Sequence, residues 1–256
     1  MKKLIAGFAG ILAALVVQAE PLSLSINFAG ARNNTTIYGE VGGTELFGAY
    51  PIEGNRWNNV KDNYNNTNLG NLVWSDGQVR AGVTITTSAG CWWTTGKTQG
   101  IFYSYLDDGS NLPTFSIQGL TVENGFPTTP CTVYIYFSTD SSLAFYSPNV
   151  NGVRYCGSTG GTIANSANWG SNSYSHNGYL YEGGNYLRIT NLMPASGGAI
   201  NITSGKNNQT RGGIAAVQIV FEKPAVEATC TSGEGTVAID SGTAATNVRK
   251  ESDYGT

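Results

Sequence analysis

Leu22, Leu24, Ile26 and Phe28 alternate with Ser23, Ser25 and Asn27, and a period of two over that length predicts a half-buried β-strand. The signature returns along the chain. Val83 and Ile85 alternate with threonines, Ile101–Leu106 and Thr114–Ile117 are β-prone, and Thr132–Phe137 reads Thr-Val-Tyr-Ile-Tyr-Phe. Leu143–Tyr146 and Gly152–Tyr155 are expected as hairpin partners of that run. Asn185–Ile189, Ala199–Ile202 and Ile214–Phe221 complete the series. Turn dipeptides punctuate it, among them Asp108-Gly109, Asn124-Gly125 and Asn151-Gly152. No segment sustains the 3.6-residue period of a helix. Around ten strands at this spacing predict an all-β, antiparallel β-sandwich or jelly roll.

A different pattern precedes the first strand. Lys2 and Lys3 are followed by an apolar run from Leu4 to Val17, and Val17-Gln18-Ala19 supplies a small-x-small exit. That is the layout of a secretory signal peptide, and the run is shorter than the ~20 apolar residues of a membrane span. The expected organisation is therefore a signal peptide over 1–19, a β-sandwich over 20–223 and a polar tail over 224–256. The tail reads as a linker or the start of a further element, with Val237–Ile239 its short strand candidate. The mature chain is expected to be secreted or extracytoplasmic, without membrane insertion after cleavage.

Composition sharpens this. Only 12% of residues are charged, about half the usual ~25%. Without Lys2 and Lys3 the formal net charge of −3 becomes −5. Nucleic-acid binding needs clustered Lys and Arg, so a nucleic-acid partner is excluded, and so is an anionic lipid surface. The 40% of hydrophobic residues, with 14 Tyr, 9 Phe and 5 Trp, suffice for a sizeable core. The 34 glycines, with abundant Asn, Ser and Thr, suit the many tight turns of a β fold.

Four cysteines remain after cleavage: Cys91, Cys131, Cys156 and Cys230. In an exported chain an even count predicts two disulfides, and four cysteines allow three connectivities. Cys131 with Cys156 is the favoured pair, because the two bracket a run of expected hairpin strands. Zinc is disfavoured: there is no Cys-x-x-Cys, and His176 is the one histidine.

The candidate binding residues are aromatic. Trp92 and Trp93 follow Cys91 in a glycine-bounded segment. Neighbours on a strand face opposite ways, so one ring is free to stack on a sugar unless both pack against a disulfide or a loop. Trp169 and Tyr174 lie among Asn168, Asn172, His176 and Asn177. Stacking rings beside uncharged donors and acceptors suit a neutral polyol, while the plainer reading has Trp169 pinning a long loop. Trp57 and Trp74 read as structural. Asp107, Asp108 and Asn111 offer oxygens to calcium, an optional cation here, although acids before a glycine also make an ordinary turn.

Catalysis has weaker footing. No G-x-S-x-G elbow and no H-E-x-x-H helix occurs. Asp62, Asp76, Asp107, Asp140 and Glu182 could supply a glycosidase pair, but no spacing draws two together.

Several stretches resemble a secreted bacterial β-sandwich class of planctomycete and verrucomicrobia type. They are Ser25–Phe28, Gly54–Asn59, Tyr105–Asp107, Phe115–Leu120, Val133–Phe137, Gly184–Leu187 and Gly213–Val220, in order across residues 23 to 221. The resemblance implies a galactose-binding-like or jelly-roll fold with a binding or display role, and it brings no catalytic residues. The cysteines and the Cys91-Trp92-Trp93 triplet depart from it.

The expectation is a non-catalytic, lectin-like domain for a neutral glycan or cell-surface polysaccharide. The alternative is a structural or adhesive surface domain that meets protein partners; a glycoside hydrolase or esterase ranks below both.

Overall fold

A computed structural model describes residues 21–32, 36–37, 39–61, 68–88, 91–94, 100–107, 112–138, 147–156, 186–204, 213–221 and 249–250. It is an all-β sandwich, as expected, with more strands than ten. In chain order they begin with β1 (Leu22–Ala29), β2 (Ala31–Arg32), β3 (Thr36–Ile37), β4 (Leu46–Phe47), β5 (Ile52–Glu53), β6 (Trp57–Lys61) and β7 (Asn68–Leu69). Next come β8 (Leu72–Val73), β9 (Val79–Arg80), β10 (Thr84–Thr87), β11 (Cys91–Thr94), β12 (Ser104–Asp107), β13 (Thr114–Gln118) and β14 (Cys131–Phe137). The last are β15 (Asn149–Val150), β16 (Val153–Cys156), β17 (Tyr186–Leu192), β18 (Ile200–Thr203), β19 (Ile214–Phe221) and β20 (Arg249–Lys250).

One sheet runs β6-β1-β19-β14-β17, with β12 and β11 joined at the start of β19 through Leu106 opposite Ile214. The second runs β20-β16-β15-β18-β13-β10-β7. Their facing sides share one core. Leu24, Ile26 and Phe28 of β1 and Val217, Ile219 and Phe221 of β19 are fully buried there with Phe115 and Ile117 of β13. Phe28 and Phe115 meet edge to face across the layers, ring centroids 6.0 Å apart. Trp74, fully buried, packs on Phe126 at 4.6 Å. Arg80 lies over both rings and pairs with Asp76 at 2.7 Å, which holds the Asp76 carboxyl below its ordinary pKa.

Three expectations change. Ile101–Leu106 is not one strand: Gly100–Phe102 forms a 3₁₀ turn, and β12 starts at Ser104. The partners of β14 are β17 and β19, whereas β15 and β16 belong to the other sheet and reach it through β18. Their hairpin does turn at the expected dipeptide, with Asn151 at φ 50° and Gly152 at φ 87°, the left-handed pair that a two-residue hairpin requires. Finally, β1 is buried on both faces, not one.

The cause of that double burial is topological. All described strand pairs are antiparallel except β1 with β6, which run parallel. Parallel neighbours need a long crossover, and residues 39–56 of it lie across the outer face of the first sheet. There Val41 and Phe47 bury against Trp57, Phe102, Tyr136 and Ala216. We call this segment the strap. Trp57 anchors it, donating from Nε1 to Ile52 O at 3.2 Å. At the sheet border the Asn58 side chain accepts from Val73 N and donates to the carbonyls of Ser25 and Val73.

Candidate functional site

The outer face of the first sheet carries the polar half of each alternating strand. Ser25 on β1, Gln218 on β19, and Tyr134 and Arg188 on β14 and β17 stand in register as one cross-strand row. The next row is Asn27, Ala216, Tyr136 and Tyr186. Where the strap covers the rows, the polar groups are closed off from water and most are satisfied internally, Asn27 Oδ1 being an exception. Gln218 and Tyr136 are fully buried. The Tyr136 hydroxyl accepts from Ala49 N at 2.7 Å and donates to Gln218 Oε1. Gln218 Nε2 donates to Ser25 Oγ at 3.0 Å and to Tyr50 O at 2.8 Å. Burial pushes the Tyr136 phenol well above its ordinary pKa, so it remains a neutral donor. Gly48 of the strap sits directly on Gln218: at φ +89°, a Cβ there would stand 2.3 Å from Oε1.

Beyond the strap the same face changes character. Tyr134, Tyr186 and Arg188 are half-buried. The Tyr186 ring lies 5.7 Å from that of Tyr136 at 33°, and 6.3 Å from that of Tyr134 at 39°. Ala49 and Ile52 of the strap pack on the same apolar cluster. Two half-buried phenol rings therefore pack together, Tyr186 also against the buried ring of Tyr136, with an arginine opposite Tyr134. Such a surface offers apolar ring faces and hydrogen-bond donors together.

These tyrosines were not among the residues singled out from the sequence. The signal was present in the alternation of Thr-Val-Tyr-Ile-Tyr-Phe, which puts Tyr134 and Tyr136 on one face. What joins Tyr186 to them is strand pairing across some fifty residues.

Trp92 and Trp93 lie on β11, in register with Leu106 and Tyr105 respectively. Leu106 belongs to the core between the sheets and Tyr105 to the cluster under the strap. Asp107 is buried at the end of β12, opposite Cys91. Trp169, Tyr174, Asp108, Asn111 and Cys230 lie outside the described residues. No group of three or more His, Cys, Asp or Glu gathers to hold a metal among the described residues.

The cysteine expectation needs one correction. Cys131 is a buried free thiol, donating to Leu192 O at 3.3 Å, so the pair with Cys156 is absent. Cys131 sits on β14 within the first sheet, whereas Cys156 lies on β16, in the second sheet. Desolvation raises the Cys131 pKa to about 12.

Comparison with known proteins adds little. No family model matches the chain, and no curated protein does. Among solved structures, the Bacillus subtilis protein YxiM is similar at 10% identity and a TM-score of 0.36. The match covers 78% of this chain and 40% of that one, so the chain spans well under half the length of this neighbour. No described helix is long and apolar enough to cross a membrane.

Proposed function

We propose that the chain is an exported, non-catalytic β-sandwich that recognises neutral glycan through aromatic side chains. The observation that carries this reading is the pair of half-buried rings, Tyr134 and Tyr186, in contact with each other, with Tyr186 set on buried Tyr136 at the border of the strap. Recognition of an uncharged polyol needs ring faces that stack and dipolar groups that bond hydroxyls. The charge-poor composition fits such a ligand. Trp92, Trp93, Trp169 and Tyr174 are further candidates for the same role, and Asp107 with Asp108 and Asn111 for an accessory calcium.

The test is binding of the full-length chain to a broad panel of immobilised neutral glycans, with calcium and with chelator. Saturable binding weakened at least tenfold in Tyr134→Ala or Tyr186→Ala supports the reading and locates the platform. Loss in Trp92→Ala, Trp93→Ala or Trp169→Ala instead would move the platform there. Absence of binding across the panel, with concentration-dependent assembly of the chain, would replace the reading with that of a structural surface domain.

A further inference from the structure

Independently of the glycan reading, we infer that the sheet face beneath the strap is a binding site for an extended peptide. Residues 39–56 fill it as an internal ligand, and a segment of a partner protein with the same chemistry can take their place. The argument lies in how the strap is held. Its hairpin, β4 with β5, is a two-stranded sheet of its own, and Gly54 N and Asn55 N bond back to Glu45 O and Gly43 O within the strap. The bonds that tie it to the sandwich run from side chains of the sheet to its main chain. Asn27 Nδ2 donates to Gly39 O at 2.6 Å. Asn59 clamps one residue twice, Oδ1 accepting from Val41 N at 3.0 Å and Nδ2 donating to Val41 O at 2.7 Å. Further along, the Tyr136 hydroxyl accepts from Ala49 N and Gln218 Nε2 donates to Tyr50 O.

In such a site main-chain bonds give affinity for any extended segment, and the side chains it buries give selectivity. The side chains that the strap buries are Val41 and Phe47, in one cluster with Trp57, Phe102, Tyr136 and Ala216. Gly48 adds a third requirement. It stands at φ +89° over Gln218, and a Cβ there would lie 2.3 Å from Oε1, so the position calls for glycine. The partner segment therefore carries an aliphatic residue and, further on, an aromatic followed by glycine and a small residue, as Val41 and Phe47-Gly48-Ala49 do here. Asn27, Asn59, Tyr136 and Gln218 are all uncharged, so the face reads amides and apolar groups and not charge. The strap also leaves one bond unmade. Asn27 Oδ1 is buried with no hydrogen-bond partner among the described residues, and an N–H from a competing peptide would remove the cost of that unpaired acceptor. A rival ligand thus has an advantage open to it that the strap does not use.

The experiment uses the full-length chain and a fluorescent synthetic peptide of residues 39–56, followed by anisotropy. Gly48→Ala, which drives a Cβ onto Gln218, should release the strap, marked by faster hydrogen exchange at the Ala49 amide and not in the middle of β19. That variant should bind the peptide saturably and at least tenfold more tightly than the parent, whose own strap competes. Asn59→Ala in the released chain, and Gly48→Ala in the peptide, should each weaken binding at least tenfold. A second variant, with residues 40–53 replaced by a glycine–serine linker of equal length, carries the test if Gly48→Ala keeps its strap closed or unfolds. It supports the inference by binding the peptide, or by folding only when the peptide is added. The inference is overturned if a released chain binds no peptide, or if the linker variant stays unfolded with the peptide in excess. Binding indifferent to Asn59 and to the glycine of the peptide would overturn it as well. Displacement of bound peptide by a neutral oligosaccharide would overturn it too, and would assign the face to the glycan.

Discussion

Replacing Tyr136 with phenylalanine keeps the ring and deletes one oxygen. The oxygen is one joint between the strap and the sheet, accepting from Ala49 N at 2.7 Å and donating to Gln218 Oε1. Each such hydrogen bond contributes about 0.5–1.5 kcal/mol net, and a buried polar group left without its partner costs about 1–3 kcal/mol. Gln218 has no route to water, being fully buried, while Ala49 is half-buried and regains part of its loss. The expected destabilisation is about 2–3 kcal/mol, which at a urea m-value of ~2 kcal/mol/M lowers the midpoint by about 1–1.5 M. Because both groups belong to one network, Tyr136→Phe combined with Gln218→Leu should cost less than the sum of the single changes by ~0.5–3 kcal/mol. Hydrogen exchange gives the local reading: the Ala49 amide should exchange faster in Tyr136→Phe, while amides in the middle of β19 change only by the global loss. A cost under about 0.5 kcal/mol, or an unchanged Ala49 amide, would show that this hydroxyl does not help to hold the strap and would refute the network argument.

Two further outcomes are expected. Trp74→Ala empties a fully buried site packed on Phe126 and covered by Arg80, so thermal or urea unfolding should report a loss of about 3–5 kcal/mol; under 1 kcal/mol would mean the region collapses to fill the space. Alkaline pH should also weaken the fold through Cys131. Its thiol ionises in the unfolded chain near the ordinary 9.0 but only at about 12 when folded. Its stabilising effect is therefore complete below the unfolded value and is lost as pH rises from there towards the folded one, at up to about 1.4 kcal/mol per pH unit. Urea unfolding at pH 7 and pH 10 should show a smaller drop for Cys131→Ala than for the parent, and equal drops would sink this account.

Much of the fold was legible because its rules are local. The period of two in Leu22–Phe28 and the nearly unbroken apolar run Ile214–Phe221 located β1 and β19 to within a residue, and Asn151-Gly152 announced its own hairpin. The errors fall where the outcome depends on partners distant in sequence. Nothing within Gly152–Tyr155 states that it joins β18's sheet and not that of β14. Likewise Ser23, Ser25 and Asn27 carry the polarity of a solvated face, and alternation alone assigns them to water. They are buried all the same: Gln218 donates to Ser25 Oγ, and Asn27 Nδ2 donates to Asn59 Oδ1 and to Gly39 O of the strap, in place of water.

That burial also explains why the candidate site lies where it does. A parallel β1–β6 pair obliges the chain to traverse one face of the sheet, and the traverse of residues 39–56 reaches across β6, β1 and β19 as far as Tyr136 of β14. Phe47 and Val41 have apolar partners there, so this part of the face belongs to the interior. On β14 and β17 the same register of outward residues continues, but as half-buried Tyr134, Tyr186 and Arg188. An alternation tuned only for stability would place short polar residues on the open part of that face. Phenol rings there bury area less fully than they would in a core, while Tyr136 beneath the last of them is fixed by two hydrogen bonds. The strap thus does two things with one crossover: it completes a second core over β1 and β19, and its edge holds the ring against which Tyr186 is set.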